Sequence, residues 1–330
     1  MRQSAEDRLI ARYFKPLAKH RGAFGLQDDA AAIAPPAGCD LVFTADGIVA
    51  GVHFFADDPP DTVARKALRV NVSDLAAKGA RPLGFLLTLA LPKEISDRWL
   101  ASFARGLGAD ADHFGCPLLG GDTVRTPGPL SISIAAFGST PHGKMVRRAG
   151  AAPGDRVLVT GTVGDAAIAL VLRRDPALAA RLNLARHQQN RLKARYMVPE
   201  PRNAIASLLV THASAAIDVS DGLAGDLAKL CRASGVAAEI ETARVPLSEA
   251  TRAALAKDPA LIETILTGGD DYEILATVPP EKIEALRQQA SAAGVAINEI
   301  GVVSTGAGEA RFMGPHGRPL ALPHPSFSHF

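Results

Sequence analysis

Cysteine is scarce in this chain. Cys39, Cys116 and Cys231 are far apart, and no C-x-x-C pair occurs. That spacing excludes a disulfide framework and a cysteine-built zinc site, and it fits a reducing compartment. Long apolar runs are also missing. The richest, about Pro82 to Pro92, falls well short of the ~20 residues a membrane-spanning helix needs. Met1–Ile10 is charged and lacks the apolar core of a secretory signal. A cytoplasmic protein with no membrane partner is therefore expected. Charge of one sign is not in excess: 36 Lys and Arg stand against 34 Asp and Glu, for a net charge of +2. The basic pairs Arg147-Arg148 and Arg173-Arg174 are short, so the concentrated basic face of a nucleic-acid binder is absent from the sequence.

Several familiar catalytic signatures are missing as well. Gly138–Met145 approaches a P-loop but ends in Met145 where Ser or Thr should stand. Pro141 interrupts it, and Arg147-Arg148 follow where an apolar helix should begin. Gly161–Gly164 is too short for a dinucleotide fingerprint, and no G-x-S-x-G elbow occurs. No internal repeat or low-complexity segment is present.

At 330 residues the chain has room for two domains and a large core. Apolar residues at helical spacing predict helices near 6–20, 62–78, 165–174, 221–233, 248–256 and 280–293, and one that Ser96 can cap, carrying Trp99, Leu100, Phe103 and Leu107, with Gly115 following it. Strands are predicted at 40–46, 82–91, 117–122, 130–137, 156–160, 215–219, 236–240 and 295–303, with a strand–turn–strand over 262–278. The small, turn-forming stretch 149–155 places a boundary that divides the chain into residues 1–148 and 149–330. Alternating strands and helices define an α/β class for both halves. The stretch Gly314–Phe330 reads as a loop or tail that needs docking to be ordered.

One pattern recurs: an apolar element ends in Asp, usually beside Gly or Ser. It appears at Asp28-Asp29, Asp46-Gly47, Ser73-Asp74, Gly120-Gly121-Asp122, Asp218–Gly222 and Gly268–Tyr272. A single such Asp is usually a cap or a turn residue. Six are harder to explain that way, because ionised carboxylates at the ends of buried elements need compensation. Carboxylates without nearby His or Cys favour magnesium, which is completed by waters and substrate phosphates. The pattern thus points to Mg2+ and a phosphate-bearing ligand, with ATP the default. Glycine pairs let backbone N–H groups approach phosphate oxygens, and Ser220 can offer its hydroxyl or its N–H at a helix start.

Taken in order, Gln27-Asp-Asp-Ala-Ala31, Thr44-Ala-Asp46-Gly, Gly51-Val-His53-Phe, Asn71-Val-Ser-Asp74, Gly-Gly121-Asp122, Asp218-Val-Ser220-Asp221-Gly-Leu223 and Gly-Gly-Asp270-Asp-Tyr272 resemble the thiamine-monophosphate kinase family over nearly the whole chain. That family sits in a wider aminoimidazole ribonucleotide synthetase-like group. The resemblance implies a two-domain α/β (α+β) fold with mixed sheets packed by helices. It also implies a homodimer pairing through the N-terminal domains, with ATP between the domains. By the same resemblance, Asp29, Thr44, Ala45 (through its backbone), Asp46, Asp74, Asp122, Asp218 and Asp221 would hold several Mg2+ ions. Gly121, Asp122, Arg148 and Ser220 would contact ATP, and His53, Asp270 and Phe327 would meet thiamine monophosphate. The chain departs from the family at Gln27, usually Gly, at Asp270, usually Glu, and at Phe327, often Trp.

The implied reaction is direct in-line phosphoryl transfer giving thiamine diphosphate. It needs no general base, since a phosphate monoester is largely ionised near neutral pH, its second pKa being about 6. Two other readings stand beside it: a sister ATP-dependent ligase or dehydratase, and a nucleotide- or metal-binding protein without turnover.

Overall fold

The computed structural model describes residues 4–324 and 326. The chain divides into two compact units. The first holds the residues up to Leu75 together with Ala80–Lys144; the second holds Ala76–Gly79 and the chain from Met145 onward.

The first unit opens on an irregular helical stretch. Helix α1 (Ala5–Leu9) passes into a π-type turn at Ile10–Phe14 and a 3-10 turn at Lys15–Leu17. The spacing had predicted one helix over 6–20. Pro16, without an N–H, breaks that path, and Tyr13 and Phe14 remain buried. There follow β1 (Cys39–Val49), α2 (Pro60–Ala77), β2 (Arg81–Leu91), α3 (Asp97–Phe114), β3 (Leu118–Arg125) and β4 (Ser131–Pro141). The Ser96 hydroxyl caps α3 by accepting from the Trp99 N–H at 3.2 Å, and Gly115 closes the helix in a left-handed conformation.

The strands form one sheet in the order β1-β4-β2-β3. β4 runs antiparallel to β1 and β2, whereas β3 runs parallel to β2. One face carries Val42, Ile48, Phe85, Leu87, Leu89, Ile132 and Ile134. It packs on Val63, Leu68 and Leu75 of α2 and on Leu100, Phe103 and Leu107 of α3. Asp110 of α3 is buried against Arg65 and Arg69 of α2, which ties the two helices together.

The second unit contains β5 (Arg156–Thr160), α4 (Asp165–Arg174), α5 (Pro176–Arg181), α6 (Arg186–Met197), α7 (Ala206–His212), β6 (Ala215–Asp218), α8 (Leu223–Ser234) and β7 (Val236–Glu241). It continues through α9 (Glu249–Lys257), α10 (Leu261–Thr267), β8 (Ile274–Val278), α11 (Ile283–Ala292), β9 (Ile297–Thr305) and β10 (Ala310–Met313). Its sheet has the order β10-β7-β9-β5-β8-β6. All pairs are antiparallel except β10 with β7. Both faces are covered. Val157, Val159, Ile217 and Leu275 meet α8 on one side, while Leu158, Ala216, Ile274 and Ala276 meet α7 and α11 on the other. Burial on both faces is why these strands read as continuous apolar runs.

The expected strand–turn–strand over 262–278 is half wrong: residues Leu261–Thr267 are helix α10, and only Ile274–Val278 is a strand. Leu261 and Ile265, four residues apart, are buried along one helical face, a spacing that short apolar runs leave ambiguous. Helices α5, α6 and α7 were not foreseen. In α6 only Leu192, Arg195 and Tyr196 are buried among charged and amide side chains, so no apolar period exists to be read. The described part of the 314–330 stretch is docked. The Leu320 N–H donates to the Phe312 carbonyl at 2.8 Å, and Leu320 and Leu322 pack on the core.

A buried ionic cluster fastens this unit. Glu273 is fully buried and accepts from Thr160 Oγ1 at 2.6 Å, Arg195 Nη2 at 2.9 Å and Arg202 Nε at 2.6 Å. Removing one member of such a buried pair leaves a charge poorly compensated, at a cost of about 3 kcal/mol or more. Arg195→Met is accordingly expected to lower the calorimetric melting temperature by several degrees; an unchanged melt would mean that Arg202 alone suffices.

Candidate active site

In the first unit the predicted residues fall into two groups. Strand β1 carries Thr44, Ala45 and Asp46. The Thr44 hydroxyl donates to the Asp74 carboxylate on α2, and the Asp46 N–H donates to Asn71 Oδ1 at 3.1 Å. Asn71 is itself buried and anchored by its Nδ2 on the Ala67 carbonyl at 3.0 Å. The Asn71-Val-Ser-Asp74 run therefore presents two side chains, three residues apart on one helical face, to the edge strand. The turn that follows β1 holds His53, whose Nδ1 accepts from the Val49 N–H at 3.0 Å. With Nδ1 occupied as an acceptor, the neutral ring carries its proton on Nε2. The buried Lys66 donates to the His53 carbonyl at 2.9 Å and holds the turn in place.

The second group lines a cavity of about 780 Å³ on the opposite side of the sheet from α2 and α3. Asp28, Asp29, Gly120, Gly121 and Asp122 lie along it, with Thr88 and Phe43. The Asp122 carboxylate accepts from its neighbour's N–H, Thr123, at 2.8 Å, and Asp28 accepts from the Asp29 N–H at 2.9 Å. Gly121 is required here. Its φ is +152°, and a Cβ would stand 1.8 Å from the Leu87 carbonyl oxygen. β4 and β2 intervene between β1 and β3, a lateral separation of roughly 14 Å at ~4.8 Å per strand. Asp122 is thus not beside Asp46 within this sheet. Among the described residues, no set of three or more His, Cys, Asp or Glu side chains is gathered as for a metal ion.

The donor chemistry nevertheless suits a hard cation. Asp29, Asp74 and Asp122 make contacts only with neutral N–H or O–H groups or none, and no Lys or Arg among the described residues pairs with them. Carboxylates left without a protein cation are sites where Mg2+ or its phosphate complex supplies the compensation.

In the second unit Asp218 ends β6, nearly buried, and Ser220-Asp221-Gly222 form the turn into α8. Asp226, fully buried one turn into α8, accepts from the N–H groups of Ser220 at 3.0 Å and Asp221 at 2.9 Å. The reading of the Ser220 N–H as a phosphate donor is therefore corrected: that N–H is committed to Asp226, and the hydroxyl is what remains for a ligand. Burial pushes the Asp226 carboxyl up, against the pull of Lys229, whose Nζ lies 2.7 Å away. Lys229 also pairs with Asp221. Burial alone would lower Lys229, but the two carboxylates more than offset it and hold it above the usual lysine range. Neither Asp226 nor Lys229 was singled out from sequence; their i, i+3 spacing inside a helix looks like an ordinary surface pair.

The Gly268–Tyr272 segment lies against this turn. The Asp270 N–H donates to the Ser220 carbonyl and the Tyr272 N–H to the Val219 carbonyl, both at 2.8 Å. A Cβ at Gly269 would stand 2.2 Å from the Ser220 oxygen. Asp270 and Tyr272 have φ of 72° and 51°, the left-handed region. Asp271 between them is buried and accepts from the Gly164 N–H through both oxygens, at 3.0 and 2.9 Å. Arg148 keeps an exposed side chain, while its carbonyl accepts from the Ser234 hydroxyl at 3.0 Å. Phe327 lies outside the described residues.

The two sheets with their helices, and the glycine-flanked carboxylates, define an AIR synthase related protein. That family's N-terminal domain matches residues 27–140 and its C-terminal domain residues 152–313. A thiamine-monophosphate kinase of Caulobacter vibrioides is 42% identical over 303 residues, covering 91% of this chain and 84% of the relative. A crystal structure of thiamine-monophosphate kinase from Stenotrophomonas maltophilia superposes with a TM-score of 0.83 at 38% identity, covering 95% of this chain and 96% of that one. AaThiL complexed with AMPPCP and TMP gives 0.77 at 29% identity, covering 94% and 97%. The chain belongs to the thiamine-monophosphate kinase family and is an enzyme of the kinase class.

Burial, opposed by the Gly164 N–H, raises the Asp271 carboxyl well above its ordinary value of 3.8. Well below pH 3.8 the group is neutral in folded and unfolded chains alike. As pH rises past 3.8 the unfolded chain loses its proton first, so this group takes stability from the fold as pH increases. Asp271→Asn cannot ionise. Its melting temperature relative to wild type is expected to rise between pH 4 and pH 7, and a flat or falling difference would contradict the assignment.

Proposed function

We propose that this kinase transfers the terminal phosphoryl group of ATP to the phosphate of thiamine monophosphate in one in-line step, giving thiamine diphosphate and ADP. One observation carries the reading. Asp29 and Asp122, carboxylates without a protein cation, flank the Gly120-Gly121 pair on a cavity of about 780 Å³. Support comes from the relative solved with an ATP analogue and TMP.

The proposed ligands of Mg2+ are Asp29, Thr44, the Ala45 backbone, Asp46, Asp74 and Asp122 in the first unit, with Asp218 and Asp221 in the second. When bound, the metal neutralises phosphate oxygens and screens the repulsion between donor and acceptor. Gly121 allows the backbone close to a phosphate, and Asp122, Arg148 and the Ser220 hydroxyl complete the nucleotide contacts. His53 donates from Nε2 to an acceptor phosphate oxygen. Asp270 is proposed to favour the cationic thiazolium by its charge, and an aromatic ring such as that of Phe327, outside the described residues, would suit the same cation. Because the acceptor phosphate is already ionised near neutral pH, no side chain needs to take a proton.

The enzyme is proposed to work in the cytoplasm as a homodimer paired through the first unit. The outer sheet face there exposes Phe43, 64% accessible, stacked edge-on against Phe137 at 5.5 Å. Exposed apolar area of this kind marks association surfaces.

Phosphorus NMR of ATP, Mg2+ and thiamine monophosphate with the purified protein tests the reaction. A diphosphate pair is expected to appear as the monophosphate signal declines, and only when Mg2+ is present. Asp74→Asn and Asp122→Asn are expected to cut turnover by two orders of magnitude or more, about 2.7 kcal/mol of barrier, with melting temperatures near wild type. Turnover within a few-fold of wild type in both variants would remove these carboxylates from the mechanism.

A further inference from the structure

The Lys229 ammonium bridges two carboxylates of unlike surroundings. It is anchored on Asp226, fully buried and held by two backbone N–H groups, and it also reaches Asp221, which is about a third exposed. Asp226 cannot move without breaking the Ser220–Asp221 turn. Asp221 can turn away into solvent at little cost, and Lys229 would keep its buried partner.

We propose that Lys229 is a tethered counter-ion that occupies the Asp221 carboxylate and is exchanged for a divalent cation there. The proposal rests on Asp221 being a metal ligand, as proposed above. The exchange is local. Lys229 stays on Asp226, its hydrogen bond to Asp221 breaks, and the freed carboxylate takes the ion. Two consequences follow. The turn keeps its shape in both states, because Asp226 fixes its amides throughout. Cation binding at Asp221 is weakened by the lysine, since the ion must displace a bound positive charge and then sit near it. Lys229 is thus a positioning residue that tunes the metal concentration at which the site fills, and it touches no substrate.

The test is binding of Mn2+ alone to the full-length protein, followed by the free-ion electron paramagnetic resonance signal. Lys229→Gln is expected to tighten the weakest site roughly two- to fivefold, the range a partly exposed ion pair is worth. Lys229→Arg, which keeps the charge, is expected to match wild type. Asp221→Asn is expected to weaken or abolish that site. If Asp221→Asn weakens binding but Lys229→Gln leaves it unchanged or weaker, the exchange is refuted and Asp221 remains a ligand. If Asp221→Asn changes nothing, Asp221 is no ligand and both statements fall.

Should Lys229→Gln not fold, the unaltered protein still decides the matter. The Lys229 Cε resonance, assigned by its loss in Lys229→Arg, is expected to shift on addition of Mg2+. A stationary resonance at saturating Mg2+ overturns the proposal.

Discussion

Carboxylates at the ends of buried elements are the constraint on which this molecule is built. Each must be compensated, because an isolated charge in a low-dielectric setting is costly. The two units meet that demand differently. In the second, the protein compensates itself: Glu273 by Arg195 and Arg202, and Asp226 by Lys229 and two amides, while Asp271, its carboxyl raised by burial, accepts from the Gly164 N–H. In the first, Asp110 is matched by Arg65 and Arg69, whereas Asp29, Asp74 and Asp122 meet neutral groups only. Within the first unit the difference separates acids that hold the fold from acids left for a ligand, and it does so by electrostatics.

The architecture positions both kinds with short connections. The edge strand β1 brings Thr44 and Asp46 to α2 through Asp74 and Asn71. The β6–α8 turn and the Gly268–Tyr272 segment share three backbone hydrogen bonds or close approaches. Left-handed residues at 270 and 272 turn Asp271 inward, between its neighbours. A loop that is irregular by dihedral angle is thus fixed by a carboxylate buried within it.

Much of this was legible in the sequence. Strand β5 and helix α4 were readable to the residue, because Gly161–Gly164 punctuates them, and α3 because Ser96 and Gly115 bracket it. The acid–glycine motifs were visible as a set, and their order carried the family. What was not legible has physical causes. Helix α6 is polar nearly all round and shows no period. Helix α10 is too short to separate a helical from an extended apolar run. Asp226 looked like a helix-surface acid because its partners are main-chain amides five and six residues away, which no side-chain pattern reports. The commitment of the Ser220 amide was hidden for the same reason.

The neighbouring glycines at 120 and 121 carry unequal freedom. A methyl at 121 collides with the main chain of β2, which cannot yield, whereas one at 120 meets only the flexible end of Leu86, 3.3 Å away. Redesign of the cavity wall therefore has one door and one barred window. Residue 120 can accept small side chains that reshape the pocket mouth, while 121 stays closed to any chemistry, whatever the ligand.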